Sequence, residues 1–392
     1  MLFRSGGVKT GGAIIFDNSN RDESMPKAGY SSVSDKYLVV WQEKQPDTNG
    51  YDIHARMMNT SGMLYPAELT IASWADYDLF KPDLAYNPVT DQFLVVWEDH
   101  RWNWGDDWNV YGQFVNGSGT LSGGNFGISW KISGRSNHRS SPAVAYSALA
   151  NEYLVTWEYA FSSTDYDVYA RRVAADGTLL EPEQPVAVSG IYEGMPVLCS
   201  DNGLNYFIIW EQGPGSQGLD LYGSLFSLKK FSGHVYSGFS TDASVPLSGA
   251  AVDLYGSYSS SDAGEIISSW ITDSNGRFSL FTSREYDFYN IMETDPQNYV
   301  SDDAQSLDGT VITHNHIQYQ HPLTNQDLDT NNFWDRETEA PSPWIVFLPS
   351  GTQNRQVVTC SMGIKDDISG LDVGSARYAF STDAGISWSS WL

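Results

Sequence analysis

Along the first 228 residues, short runs of β-branched and aromatic side chains alternate with turns rich in Gly, Asn, Asp and Ser. Four stretches align: MPKAGYSSVSDKYLVVWQE, KPDLAYNPVTDQFLVVWED, SPAVAYSALANEYLVTWEY and MPVLCSDNGLNYFIIWEQ. Pro26, Pro82, Pro142 and Pro196 precede Trp41, Trp97, Trp157 and Trp210 by 15, 15, 15 and 14 residues, and the tryptophans recur after 56, 60 and 53. After each tryptophan comes YDIHARMM, WNVYGQFV, YDVYARRV or LDLYGSLF, then a Gly-containing turn and a further apolar run such as ELTIAS, FGISWKIS or PVAVSG. The composition of these runs and their spacing by turn residues predict three or four strands per unit. Four-stranded units recurring every ~40–60 residues are the pattern of propeller blades.

The fourth unit lacks its last strand, because LYGSLFSLKK runs into unrelated sequence. An orphan apolar run, GAIIFDNS (Gly12–Ser19), stands at the other end. Pairing the two would complete four blades and remove two open sheet edges. The expected fold class is therefore all-β: a four-bladed β-propeller over residues 1–230, with the N-terminal strand closing the last blade. The rival reading is a segment of a larger ring, since MLFRSGG is similar to the tail of an earlier third strand.

The motifs YLVVW, FLVVW, YLVTW and FIIW, with DIHAR, NVYGQ, DVYAR and DLYGS, resemble the "LVVW"-type propeller repeats of large bacterial extracellular proteins. From Phe231 the period disappears. PLSGAAVDLYG, TDSNGRFSL, YNIMETDPQNYVS and NNFWD resemble SdrD B-like or carboxypeptidase-regulatory-like modules, which implies a transthyretin-like β-sandwich over 231–337. Residues 338–350, with three prolines in ETEAPSPWIVFLPS, read as a linker. Residues 351–392 resemble the start of an immunoglobulin-like sandwich, too short to complete one of ~100 residues. A chain of 392 residues agrees with several domains.

Composition narrows the partners. With 22 basic and 48 acidic residues the net charge is −26, which repels nucleic acid and anionic lipid surfaces. The two cysteines, Cys199 and Cys360, form no disulfide framework or zinc spacing. No apolar run reaches membrane-spanning length, and no leader follows Met1, so the resemblances imply an exported, cell-surface protein whose signal lies outside this chain. No cofactor is expected, calcium being the one ligand that converging carboxylates would hold.

The densest chemistry is EDHRWNWGDDWNVYG (Glu98–Gly112), in the hairpin loop of the second unit. His100, Trp102, Trp104, Asp106, Asp107 and Trp108, with Asp99 beside them, form the candidate ligand site. Indole faces stack on sugar rings and carboxylates accept hydroxyl hydrogen bonds. A glycosidase also needs two carboxylates at a set separation, one with a raised pKa, which sequence does not reveal. Two polar positions recur with the period: Gln42, Glu98, Glu158 and Glu211 after the tryptophans, and Asp52, Asn109, Asp167 and Asp220 opening the third strands. They read as turn formers or cross-blade hydrogen bonders, or as a ring of oxygens for a cation. His314 and His316 in THNHIQYQH, near His321, form a weak metal candidate. STDAGISW (Ser381–Trp388) matches the turn-forming Asp-box of sialidases and many other β-proteins. The hydrolase motifs G-x-S-x-G and H-E-x-x-H are absent from the sequence.

With no catalytic constellation, no catalytic residue is assigned. The expectation is a noncatalytic binding or structural protein that engages glycan or protein at a cell surface, with adhesion, surface assembly or self-association as its work. The alternatives are a carbohydrate-active enzyme with a propeller-borne cleft, and a polymerising subunit of an extracellular filament or layer.

Overall fold

The computed structural model describes residues 12–17, 19–46, 50–75, 77–101, 108–129, 138–214, 218–240, 245–323 and 325–338, and the strands at 342–347 and 361–365. The protein is all-β and divides into two compact units, Met1–Lys229 and Lys230–Leu392. Among the described residues no helix is long and apolar enough to cross a membrane.

The first unit is a propeller-like succession of antiparallel modules. Module one contains β1 (Glu23–Ser31), β2 (Lys36–Lys44), β3 (Tyr51–Asn59) and β4 (Leu64–Ala72). Module two contains β5 (Leu79–Asn87), β6 (Gln92–Asp99), β7 (Asn109–Asn116) and β8 (Leu121–Ser129). Module three contains β9 (Arg139–Ser147), β10 (Glu152–Ala160), β11 (Tyr166–Ala174) and β12 (Gln184–Ala187). Module four contains β13 (Tyr192–Ser200), β14 (Asn205–Gly213) and β15 (Asp220–Ser227).

The continuous apolar run before each tryptophan serves two interfaces at once. Side chains of a strand alternate between its faces. Phe93, Val95 and Trp97 pack back against Leu38, Val40, Ile53 and Met57 of module one. Their sequence neighbours Leu94 and Val96, with Phe114, pack forward against Tyr153, Val155 and Trp157 of module three.

The expected closure of a four-bladed ring by the N-terminal run is corrected. Gly12–Asp17 forms no strand, and β15 pairs only with β14 among the described residues. The run instead lies beside module one, where Phe16 O accepts from Arg56 Nη1 at 2.5 Å. Arg171, two modules on, makes the same bond to Ile128 O at 3.0 Å, and Ile128 belongs to the last strand of module two. Phe16 thus occupies the place of a preceding module's last strand without pairing to module four. The consequence is an uncovered face: Phe207, Leu221 and Leu225 are 42%, 77% and 62% exposed, whereas Leu94, Val110 and Phe114 at the matching positions are buried.

The second unit is a sandwich of two sheets. One contains β16 (Lys229–Ser237), β17 (Val245–Pro246), β20 (Arg277–Thr282), β22 (Tyr299–Gln305) and β25 (Asp327–Glu337). The other contains β18 (Ala251–Ser257), β19 (Glu265–Ile271), β21 (Phe288–Thr294), β23 (Thr310–Thr313) and β24 (His316–Gln320). Phe231, Val235 and Phe333 from the first sheet and Val252, Leu254 and Ile291 from the second share one core. The stretch read as a proline-rich linker contains β26 (Ser342–Phe347), which pairs with β27 (Ser361–Lys365). The remainder of the expected immunoglobulin-like segment lies outside the described residues, as do Cys360 and the Asp-box at Ser381–Trp388.

Candidate functional site

The site is built on the periodic polar positions, and their first role is architectural. Met25, Lys81, Ser141 and Met195 each precede one of the repeat prolines, and all have φ between 50° and 52°. Each sits in a break of the ladder's register or at its edge, where a turned N–H and a proline that has none leave the sheet. The residue after the previous module's tryptophan accepts that N–H. Gln42 takes Lys81 N at 2.8 Å, Glu98 takes Ser141 N at 3.3 Å, and Glu158 takes Met195 N at 3.0 Å. These three side chains are cross-module bonders. Asp52 and Asp167 accept backbone N–H groups of Trp74 and Ser189, both at 3.3 Å, at the starts of their third strands.

Around Glu98 the acid acquires more partners. His100 Nε2 lies 2.7 Å from Oε1 and Lys81 Nζ 3.2 Å from Oε2. Burial pushes the carboxyl pKa up, but the His100 bond, the Lys81 charge and the Ser141 N–H outweigh it, so Glu98 sits below its ordinary value. The His100 ring stacks on Trp108 at 4.3 Å and 10°, and Trp108 meets His138 at 4.2 Å. Of the residues singled out in the sequence, the structure therefore brings His100 and Trp108 together. Trp102, Trp104, Asp106 and Asp107 lie outside the described residues. Arg101, not singled out, grips buried Asp99 through Nε at 2.8 Å and Nη2 at 2.6 Å and lies over the Tyr111 ring at 4.5 Å. Its position two residues after an acid is too common a pattern to mark it in sequence.

At the junction of modules three and four a second acidic group was invisible to pattern reading. Asp167 accepts from Ser189 N, and Ser189 Oγ donates to Glu193 Oε1 at 2.7 Å. Both acids are buried, and Glu193 Oε2 has no hydrogen-bond partner. Burial, then the charges of Asp165 and Glu193, pushes Asp167 up to about 6. Tyr166 and Tyr192 face each other at 5.3 Å beside the pair. Burial, then the charges of Glu158 and Glu211, pushes the Tyr192 hydroxyl up to about 12. The pair joins the Trp108 stack through neighbouring residues. Asp167 is registered opposite Tyr159, the Arg139 guanidinium lies over Tyr159 at 4.7 Å, and Arg139 N donates to Trp108 O. The resulting strip joins aromatic rings to a buried carboxyl pair, one member of which titrates near pH 6.

No family model and no curated protein matches the chain. Among solved structures, it is similar to an endo-arabinase from Bacteroides thetaiotaomicron, at 15% identity over 51% of this chain and 73% of that one, with a TM-score of 0.37. An endo-arabinanase from Bacillus licheniformis shares 10% identity over 68% and 87%, with a TM-score of 0.36. An N-acetylgalactosamine deacetylase from F. plautii shares 9% over 67% and 72%, also at 0.36. These likenesses are loose, and none defines a family. The neighbours are nonetheless enzymes, and the expectation of a noncatalytic chain is corrected on that finding.

In the second unit, His316 Nε2 meets Asn290 Oδ1 at 2.9 Å, and burial lowers its pKa. His314 lines a shallow surface depression of about 470 Å³ with Ser301 and Asn315. Neither histidine belongs to a group of three ligating side chains among the described residues.

Proposed function

We propose that the first unit is carbohydrate-active and hydrolyses a glycosidic bond along the strip from Trp108 to Glu193. The observation that carries this reading is the Asp167–Ser189–Glu193 arrangement, two carboxyl groups on one serine with one raised to about 6. A protonated carboxylic acid and an ionised partner are the pair that such hydrolysis needs. In this reading Asp167 gives its proton to the bridging oxygen as the sugar C–O bond breaks. Water adds to the sugar carbon and gives its proton to Glu193. The Trp108 and His100 rings supply an apolar face for a sugar ring. Trp102, Trp104, Asp106 and Asp107 remain candidates for sugar contact on the chemistry of their side chains alone. A net charge of −26 disfavours polyanionic chains, and the proposal is a neutral polysaccharide met outside the cell.

The test is release of reducing ends from a panel of neutral and acidic polysaccharides. The chain is expected to cleave a neutral one, and Asp167→Asn and Glu193→Gln to abolish turnover while retaining the fold by circular dichroism. No turnover across the panel, or unchanged turnover in both variants, overturns the reading.

A further inference from the structure

Glu293, at the end of β21, and Asp335, in β25, belong to opposite sheets of the second unit's sandwich. Asp295 follows β21 directly. One carboxylate oxygen from each of the three lies within 4.8 Å of the others. Acidic clusters are common on a protein of this charge, but this one is inside. Glu293 is 3% exposed and Asp335 0%, and among the described residues no donor from elsewhere reaches any of their four carboxylate oxygens. Buried carboxylates in that condition are costly unless something else compensates them. Ion pairs of this unit go to Asp327, Glu265 and Glu285, and among the described residues none reaches the cluster. A proton shared between Glu293 and Asp335 would satisfy two of the four oxygens and leave two orphaned. Burial and the neighbouring acids raise both carboxyl groups above their ordinary pKa, the direction expected where a counter-charge is missing.

We propose that Glu293, Asp295 and Asp335 bind a calcium-sized divalent cation that ties the two sheets of the second unit together. The donor set is oxygen only, with no thiolate or imidazole, which suits a hard cation over zinc or copper. Three carboxylates fill part of a shell of six to eight oxygens, and water or backbone carbonyls complete it. Ser301 donates through Oγ to Asp295 Oδ1, which orients that carboxylate as an outer-shell partner does. Ser301 also lines the surface depression shared with His314, placing solvent next to the cluster. The site stands apart from the carbohydrate reading, because it lies wholly within the other unit.

The experiment uses the full chain, stripped with chelator and titrated with calcium chloride, with magnesium chloride as comparison. Isothermal titration and thermal melting are read together. Calcium at about 1 mM is expected to raise the melting transition of the second unit by about 5 °C or more. Glu293→Gln and Asp335→Asn should remove the response, and Ser301→Ala should weaken binding about tenfold. The surface acids of the chain are the background, so dependence on these residues decides the outcome. A wild-type chain that neither binds calcium nor shifts its melting overturns the proposal. So does binding of wild-type strength in all three variants.

Discussion

The backbone N–H of Met195 donates to Glu158 Oε2 at 3.0 Å, across the boundary between two modules. The bond repeats at Glu98–Ser141 and Gln42–Lys81, so the residue after each of the first three repeat tryptophans works as a clamp on the next module. Module four carries the same acid, Glu211, with no side-chain hydrogen bond among the described residues, and module one carries the same turned residue, Met25, 54% exposed. Unequal consequences follow for chemically equal residues. Glu158→Ala removes the acceptor of Met195 N and of the Ser140 hydroxyl and one partner of the Ser141 hydroxyl, and is expected to cost about 2–3 kcal/mol in denaturant unfolding. Glu211→Ala is expected to cost less than about 0.5 kcal/mol. Equal losses would show that the clamp does not hold the modules.

The uncovered face of module four makes a second comparison. Leu221 is 77% exposed, while Ile53, Val110 and Val168 at the same register are fully buried. Leu221→Lys should leave the unfolding midpoint within about 0.5 kcal/mol of the parent. Val110→Lys buries an unpaired ammonium between modules two and three, and should lower stability by about 3 kcal/mol or more, or prevent folding. A severe loss from Leu221→Lys would mean that this face is covered in solution.

Asp167 sets a pH dependence with a definite sign. Its folded pKa, about 6, lies above the ordinary 3.8. Between these values the folded chain keeps a proton that the unfolded chain has lost, so the group's contribution to stability is highest at low pH. It declines as pH rises through that window and is flat above it. Hydrolysis that uses the proton should fall along the same upper limb, with an apparent pKa near 6. An activity profile rising from pH 5 to 8 would remove Asp167 from the acid's role.

The cluster in the second unit behaves likewise without metal. Glu293 and Asp335 are both raised by burial and by neighbouring acids. The chelated chain should therefore melt at lower temperature as pH rises above neutrality, because each ionisation places an uncompensated charge inside. Glu293→Gln should flatten that decline in a melting series recorded in chelator. An unchanged slope would assign the dependence to other groups.

Much of this was legible in the residues. The Pro-to-Trp spacing located the repeat because a bulge, a missing N–H and a packed indole recur at set offsets within one supersecondary unit. Periodicity also singled out Glu98 and Glu158, with cross-module bonding as one of the roles it left open, yet it could not tell Glu158 from Glu211, because their difference lies in whether a neighbour covers them. His100 and Trp108 drew notice through composition. Asp167 was visible only as one of the periodic polar positions, since its raised pKa comes first from burial, with the charges of Asp165 and of Glu193, 26 positions later, adding to it. The Glu293–Asp335 contact spans 42 positions and two sheets, and neither residue belongs to a recognisable ligand spacing.

The sequence by itself determined the repeat, its strand-rich modules and the turns between them, because apolar runs and turn chemistry act over a few residues. Only the tertiary structure decided where Gly12–Asp17 goes, which acids meet and which apolar face stays uncovered. Those outcomes depend on desolvation and on charges brought close by packing, quantities that belong to positions in space and have no local signature along the chain.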